Sequence, residues 1–172
     1  MALVYGASPG KSLVCHTQGF YGNTILFMLN GGSKPMPRED NHLAPNSNWL
    51  WDVKLGPLPA TADNHVKIYN NHGLHKLLLD EIRLLLDVTC PIVWCTSSNE
   101  RFIQFVADRI SKINKEDYKV SLDTVTNNVL LERLAFEQLS DTYNILELDI
   151  DLLLMKRSST EYNKLLKHTG IK

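Results

Sequence analysis

A chain of 172 residues, 44% hydrophobic and 22% charged, is long enough for one domain with a substantial core and too short for two comfortable ones. Its formal net charge of −1 leaves no global field to draw nucleic acid or anionic lipid, which excludes a general nucleic-acid binder. Cys15, Cys90 and Cys95 lie in apolar runs without the paired spacing of a zinc site, and their odd number argues against a disulfide framework, so no metal is expected. No signal-peptide pattern opens the chain and no apolar run approaches the ~20 residues of a membrane span, so the expectation is a soluble, cytoplasmic protein.

In chain order, Gly6-Ala-Ser-Pro-Gly-Lys-Ser12 first imitates a Walker phosphate loop, but it has three residues between its glycines where that motif has four. Its lysine also precedes a strand-like run, Leu13-Val-Cys-His16, rather than a helix. The loop that follows, Thr17-Gln-Gly-Phe-Tyr-Gly-Asn-Thr24, keeps a strand before it and an apolar helix after it. Two glycines at a helix start suit an anion, because backbone N–H groups and the positive end of the helix converge there. The same layout also serves as a plain strand-to-helix connection.

Residues 33–64 hold five of the seven prolines, together with Trp49 and Trp51. An excursion of this length without periodicity reads as a binding loop, a lid or a subunit contact, or as a cover over its own sheet edge. On an extended strand the two indoles share one face, which makes an aromatic patch for a protein partner or a second copy of the chain. Val66–Tyr69 then reads as a short strand, and Leu74, Leu78, Ile82 and Leu85 repeat at helical spacing through Asp87. Pro91–Cys95 is a continuous apolar strand, with Ser97 and Glu100 at capping-box spacing before a helix carrying Phe102, Val106, Ile110 and Ile113. A helix over about Asp123 to Leu139 follows, then a strand Ile145–Ile150, along which Asp149 and Asp151 would share a face. Ser158 and Glu161 cap a last helix with Tyr162, Leu165 and Leu166 inside. Strands alternating with helices predict a single α/β domain over residues 1–172, three-layered, with a mainly parallel sheet flanked by helices.

Several of these pieces carry a resemblance. Phe20-Tyr-Gly-Asn-Thr24 is similar in position, and in its last three residues, to the phosphate loop that opens sulfotransferases within the P-loop nucleotide-binding superfamily. Ile92-Val-Trp-Cys-Thr-Ser-Ser-Asn-Glu-Arg-Phe-Ile-Gln104 resembles their second signature, a strand ending in arginine and a helix reading glutamate-arginine-phenylalanine-isoleucine-serine. The late strand with Glu161–Ile171 resembles the family's closing strand and short helix. Together the three pieces cover about half the chain. The resemblance implies a sulfotransferase-like fold and phosphoadenosine phosphosulfate as cofactor, held by Gly19, Tyr21, Gly22, Asn23, Thr24, Thr96, Ser97, Ser98 and Arg101. It also implies His72, directly after a strand, as the base that deprotonates an acceptor hydroxyl. Three departures stand against it: Phe20 replaces the loop lysine, Thr96 the arginine and Gln104 the serine. Each lost charged contact to a phosphate removes roughly 1.5–3 kcal/mol.

Two functions follow as expectations. One is a sulfotransferase-like domain with weakened or lost catalysis that acts as an interaction or regulatory protein, using the 33–64 excursion to bind a protein partner or its own copy. The other is an active sulfotransferase moving a sulfonate to a hydroxyl acceptor. Each hydroxyl of the site also has a plain role, since serine and threonine before a helix are ordinary caps.

Overall fold

The computed structural model describes residues 12–17, 19–29, 65–70, 88–89, 91–113 and 120–170. The 33–64 excursion with Trp49 and Trp51, the Gly6–Lys11 imitation loop, His72, Cys90 and the expected 74–87 helix lie outside the described residues.

The described elements run β1 (Ser12–Thr17), α1 (Gly22–Leu29), β2 (His65–Asn70), β3 (Ile92–Thr96), α2 (Glu100–Ile113), α3 (Leu122–Leu139), β4 (Ile145–Asp149), a π-helical turn (Asp151–Met155) and α4 (Ser159–Thr169). The strands form one sheet in the order β2-β1-β3-β4, and every pairing is parallel. An α/β fold with a parallel sheet was the expectation from alternating strands and helices. The order shows how the sheet is wound: from β1 the chain steps outward to β2, then returns to lay β3 on the other side.

Why these strands sit in the middle follows from their composition. All five residues of β3 are buried, an apolar run from Ile92 to Cys95 closed by Thr96, as a strand covered on both faces requires. Register assigns the two faces. Cys15 pairs with Trp94 and His16 with Cys95, so Cys15 and Trp94 share one face while His16 and Cys95 share the other. The first face is covered by α3, where Phe136 stacks on the Trp94 ring at 5.1 Å and the Glu132 carboxylate accepts the indole N–H at 3.0 Å. On the second face, α1 begins against the His16 ring. Helices therefore cover both faces.

Local chemistry sets the helix ends. Ser158 caps α4 by accepting the Glu161 N–H, as the sequence spacing predicts, and Ser121, not marked by the sequence reading, caps α3 by accepting that of Thr124. Two expectations change. Tyr162 is exposed, and the stripe that α4 buries is Glu161, Leu165 and Thr169, because the Glu161 carboxylate turns inward to accept the Asp149 N–H at the edge of β4. The late strand stops at Asp149, and the chain then winds into the π-helical turn, so Asp149 and Asp151 do not share a strand face.

At the opposite end of the sheet, His168 in the last turn of α4 places Nε2 2.9 Å from the Ile92 carbonyl oxygen. Burial holds its imidazole below the usual value, against the carbonyls of Ile92 and Asn144, which favour the protonated ring. The folded protein thus prefers the neutral ring. Its contribution to stability is complete above the unfolded histidine pKa of about 6.5 and is lost as pH falls through the lower folded value. Denaturant titrations near pH 8 and near pH 5 check this: the midpoint is expected to fall with pH, and to fall less in His168→Gln.

Candidate functional site

A doubly wound parallel sheet opens a crevice at the carboxyl ends of the two strands where the winding direction reverses. Here those strands are β1 and β3, which end in Thr17 and Thr96. Their pairing one residue earlier, His16 with Cys95, sets the two threonines side by side on the face that α3 covers. Both side chains are buried, at 3% and 2% exposure, and neither Oγ1 has a hydrogen-bond partner among the described residues. A buried hydroxyl left unpaired costs about 1–3 kcal/mol, so two together call for a physical explanation. In register, Asn70 of β2 pairs with Thr17 and Asp149 of β4 with Thr96.

Between β1 and α1 the chain makes a tight turn. The Phe20 N–H donates to the Thr17 carbonyl at 3.1 Å, while Gly19 (φ 86°) and Tyr21 (φ 57°) both adopt the left-handed region. Tyr21 then accepts the N–H groups of Thr24 and Ile25 as α1 starts. The Phe20 side chain, where the resembled loop has its lysine, is fully buried and meets the Phe102 ring edge-on at 5.7 Å. Both glycines are explained by close approach within the protein. A Cβ on Gly22 would lie 1.9 Å from His16 Cδ2, and one on Gly19 would lie 2.7 Å from Val106 Cγ1. Tyr21 is half-buried and Thr24 exposed.

The β3–α2 turn is held by side chains. Ser97 is buried and its Oγ accepts the Asn99 N–H at 3.1 Å, while Asn99 Oδ1 accepts the Arg101 N–H at 3.1 Å. Asn99, one residue before the helix, is therefore the N-cap of α2. Ser97 braces the turn instead of pairing with Glu100 in a capping box, because the helix begins two residues later than that spacing assumes. Ser98 and Arg101 are exposed. The Asn99 amide also donates to Asp151 Oδ2 at 2.7 Å, tying this turn to the π-helical turn that follows β4. Burial raises the Asp151 pKa, but the Asn99 hydrogen bond and Lys156, 3.1 Å away, outweigh it and hold the carboxyl below its usual value. Asp149 turns inward along its own chain, its Oδ1 accepting the Leu152 N–H. π-helical turns concentrate at functional sites, and this one lies at the same sheet edge as the threonines.

Thus Gly19, Tyr21, Gly22, Thr96, Ser97, Ser98 and Arg101 come from two adjacent turns at one sheet edge. Thr17 and Asn99 belong to the same edge and were not singled out by sequence, and Asp151, which the sequence marked only as an acid sharing a strand face with Asp149, joins them from the π-helical turn. A threonine closing an apolar strand was the available signal for Thr17, whereas nothing local marks an asparagine and an aspartate 52 positions apart as partners. The Cys95 thiol lies beneath this edge. Burial, reinforced by the Glu132 charge, pushes its pKa up and keeps it protonated and inert. Among the described residues no cluster of histidine, cysteine or carboxylate suits a metal ion, and no helix is long and apolar enough to cross a membrane. Compared with known protein families, curated proteins and solved structures, the chain matches none.

The Gly22 contact gives a direct test. Gly22→Ala must displace the His16 ring and is expected to lower stability by about 1–3 kcal/mol in denaturant unfolding. His16→Ala removes the clash, so the double variant should be more stable than the sum of the single changes predicts. Strict additivity would show that the close approach does not constrain this turn.

Proposed function

We propose that this chain is a compact sulfotransferase-like domain that binds a phosphate-bearing ligand at the β1–β3 switch point and acts as a regulatory or interaction protein, with catalysis weakened or lost. One observation carries the reading: the hydroxyls of Thr17 and Thr96 lie buried side by side without partners among the described residues, at the sheet edge where ligands of such folds bind. Oxygen atoms of a phosphate or its ribose would accept from both hydroxyls. The N-termini of α1 and α2 open at this edge and add their partial positive charge.

Weakened catalysis is supported by what surrounds these groups. Phe20 is packed in the core and Thr96 is a neutral hydroxyl, so neither supplies the charge that transfer of a sulfonate demands. Arg101 is exposed at the start of α2. A ligand held by hydroxyls and helix ends alone binds more weakly than one clamped by cations, which suits a sensor of ligand concentration better than a transferase.

Thermal unfolding with phosphoadenosine phosphate, adenosine monophosphate and inorganic sulfate tests the site. A ligand that binds only the native state at a hundredfold excess over Kd adds about 2.7 kcal/mol, so phosphoadenosine phosphate should raise Tm. Thr96→Val removes an unpaired hydroxyl at nearly constant shape. The variant should be as stable as the wild type, or more so, without ligand, and should lose the shift. No shift in the wild type at millimolar ligand would overturn the reading, and measurable transfer from phosphoadenosine phosphosulfate to a phenol would restore the catalytic alternative.

A further inference from the structure

The outer side of α2 carries a second surface, which meets the sheet-edge turns at Tyr21 and Arg101 and extends away from the two threonines. Arg101, Phe105 and Arg109 stand at successive four-residue steps, with Lys112 on the same side, and all four are exposed. Phe105 is 46% exposed although its ring adjoins Phe102 at 6.2 Å. Tyr21 flanks this stripe. Its left-handed backbone, which costs a bulky residue about 1–2 kcal/mol, carries the ring out of the β1–α1 turn and onto α2. There it lies against Phe102, with the Arg109 guanidinium 4.7 Å above its centroid.

The charges on this face have no acidic partners among the described residues. Elsewhere Arg133, Lys156 and Lys164 are paired with Glu147, Asp151 and Glu161, but neither Arg101 nor Arg109 makes an ion pair among the described residues. The acid beside them, Asp108, accepts a hydrogen bond from Gln104 at 2.8 Å. A helix side is convex, whereas small molecules take concave sites, so the occupant is macromolecular. Exposed aromatics and arginines together are the composition of interface hot spots. Guanidinium groups that make no ion pair among the described residues, Arg109 braced over the Tyr21 ring, select an acidic partner.

We propose that Arg101, Phe105, Arg109 and Lys112, with Tyr21 at their side, form a docking surface for an acidic protein segment that bears one apolar or aromatic anchor. The anchor packs on Phe105 and its flanking carboxylates meet Arg101 and Arg109. This inference does not depend on what fills the switch point.

Fluorescence anisotropy with labelled synthetic peptides, glutamates around a single phenylalanine or leucine, tests it on the full chain. Saturable binding that weakens with added salt is expected for the wild type. Phe105→Ser and the pair Arg101→Gln/Arg109→Gln should each weaken it by about tenfold or more, with circular dichroism and Tm held near wild type because these side chains are exposed. Thr96→Val should bind as the wild type does, so failure here and failure of the switch-point reading are distinguishable. Absence of saturable binding, equal affinity in the arginine variants, or tighter binding of a single-stranded oligothymidine would overturn the proposal.

Discussion

The parallel pairing of β1 with β3 is the constraint on which the rest of the structure depends. It is the central seam of the sheet, with β2 and β4 added outside it, and its register decides which side chains face which layer. A slip of one residue would exchange Trp94 with Cys95 between faces and turn the indole away from Glu132 and Phe136. The same register places Thr17 beside Thr96. Core packing and the composition of the sheet edge are thus consequences of one ladder.

The turns at that edge are tightened from inside the protein. His16 presses on Gly22, Val106 and Ile110 on Gly19, and Phe20 drops into the core against Phe102. Packing so close leaves little freedom for backbone adjustment, so the geometry of the edge is set before any ligand arrives. The Asn99–Asp151 hydrogen bond extends this rigidity to the far side of the sheet. Because Asp151 is buried and held ionised by Asn99 and Lys156, its contribution is present above the carboxylate range and lost as pH falls through it.

Much of the architecture was legible because it is local. Ser158 announced its helix through cap chemistry, and the apolar run of β3 announced a strand covered on both faces. The errors came where local rules met tertiary demands. Ser97 and Glu100 have capping-box spacing, yet Asn99 takes the cap because its amide is also drawn to Asp151. Tyr162 sits at a helical position that pattern would bury, yet Glu161 turns inward to bond the edge of β4. Of the candidate site, the glycines and strand-end hydroxyls were visible as residue types. Their reasons were not, since only packing shows that the space beside Gly22 belongs to the His16 ring.

By itself, then, the sequence determined the class of fold: alternating apolar strands and amphipathic helices, which at these spacings admit crossover connections and a parallel sheet covered on two faces. It also determined the near-neutral charge and the placement of small and hydroxyl residues after two of the strands. Only the tertiary structure decided the strand order, the β1–β3 register that brings the ends of those strands together, the bond from Asn99 to Asp151 and the exposure of Phe105 between two arginines. The physical reason is range. Periodicity and caps act over a few residues and are written in each segment, whereas register, burial and the meeting of distant polar groups depend on the free energy of the whole packed arrangement, which no single segment encodes.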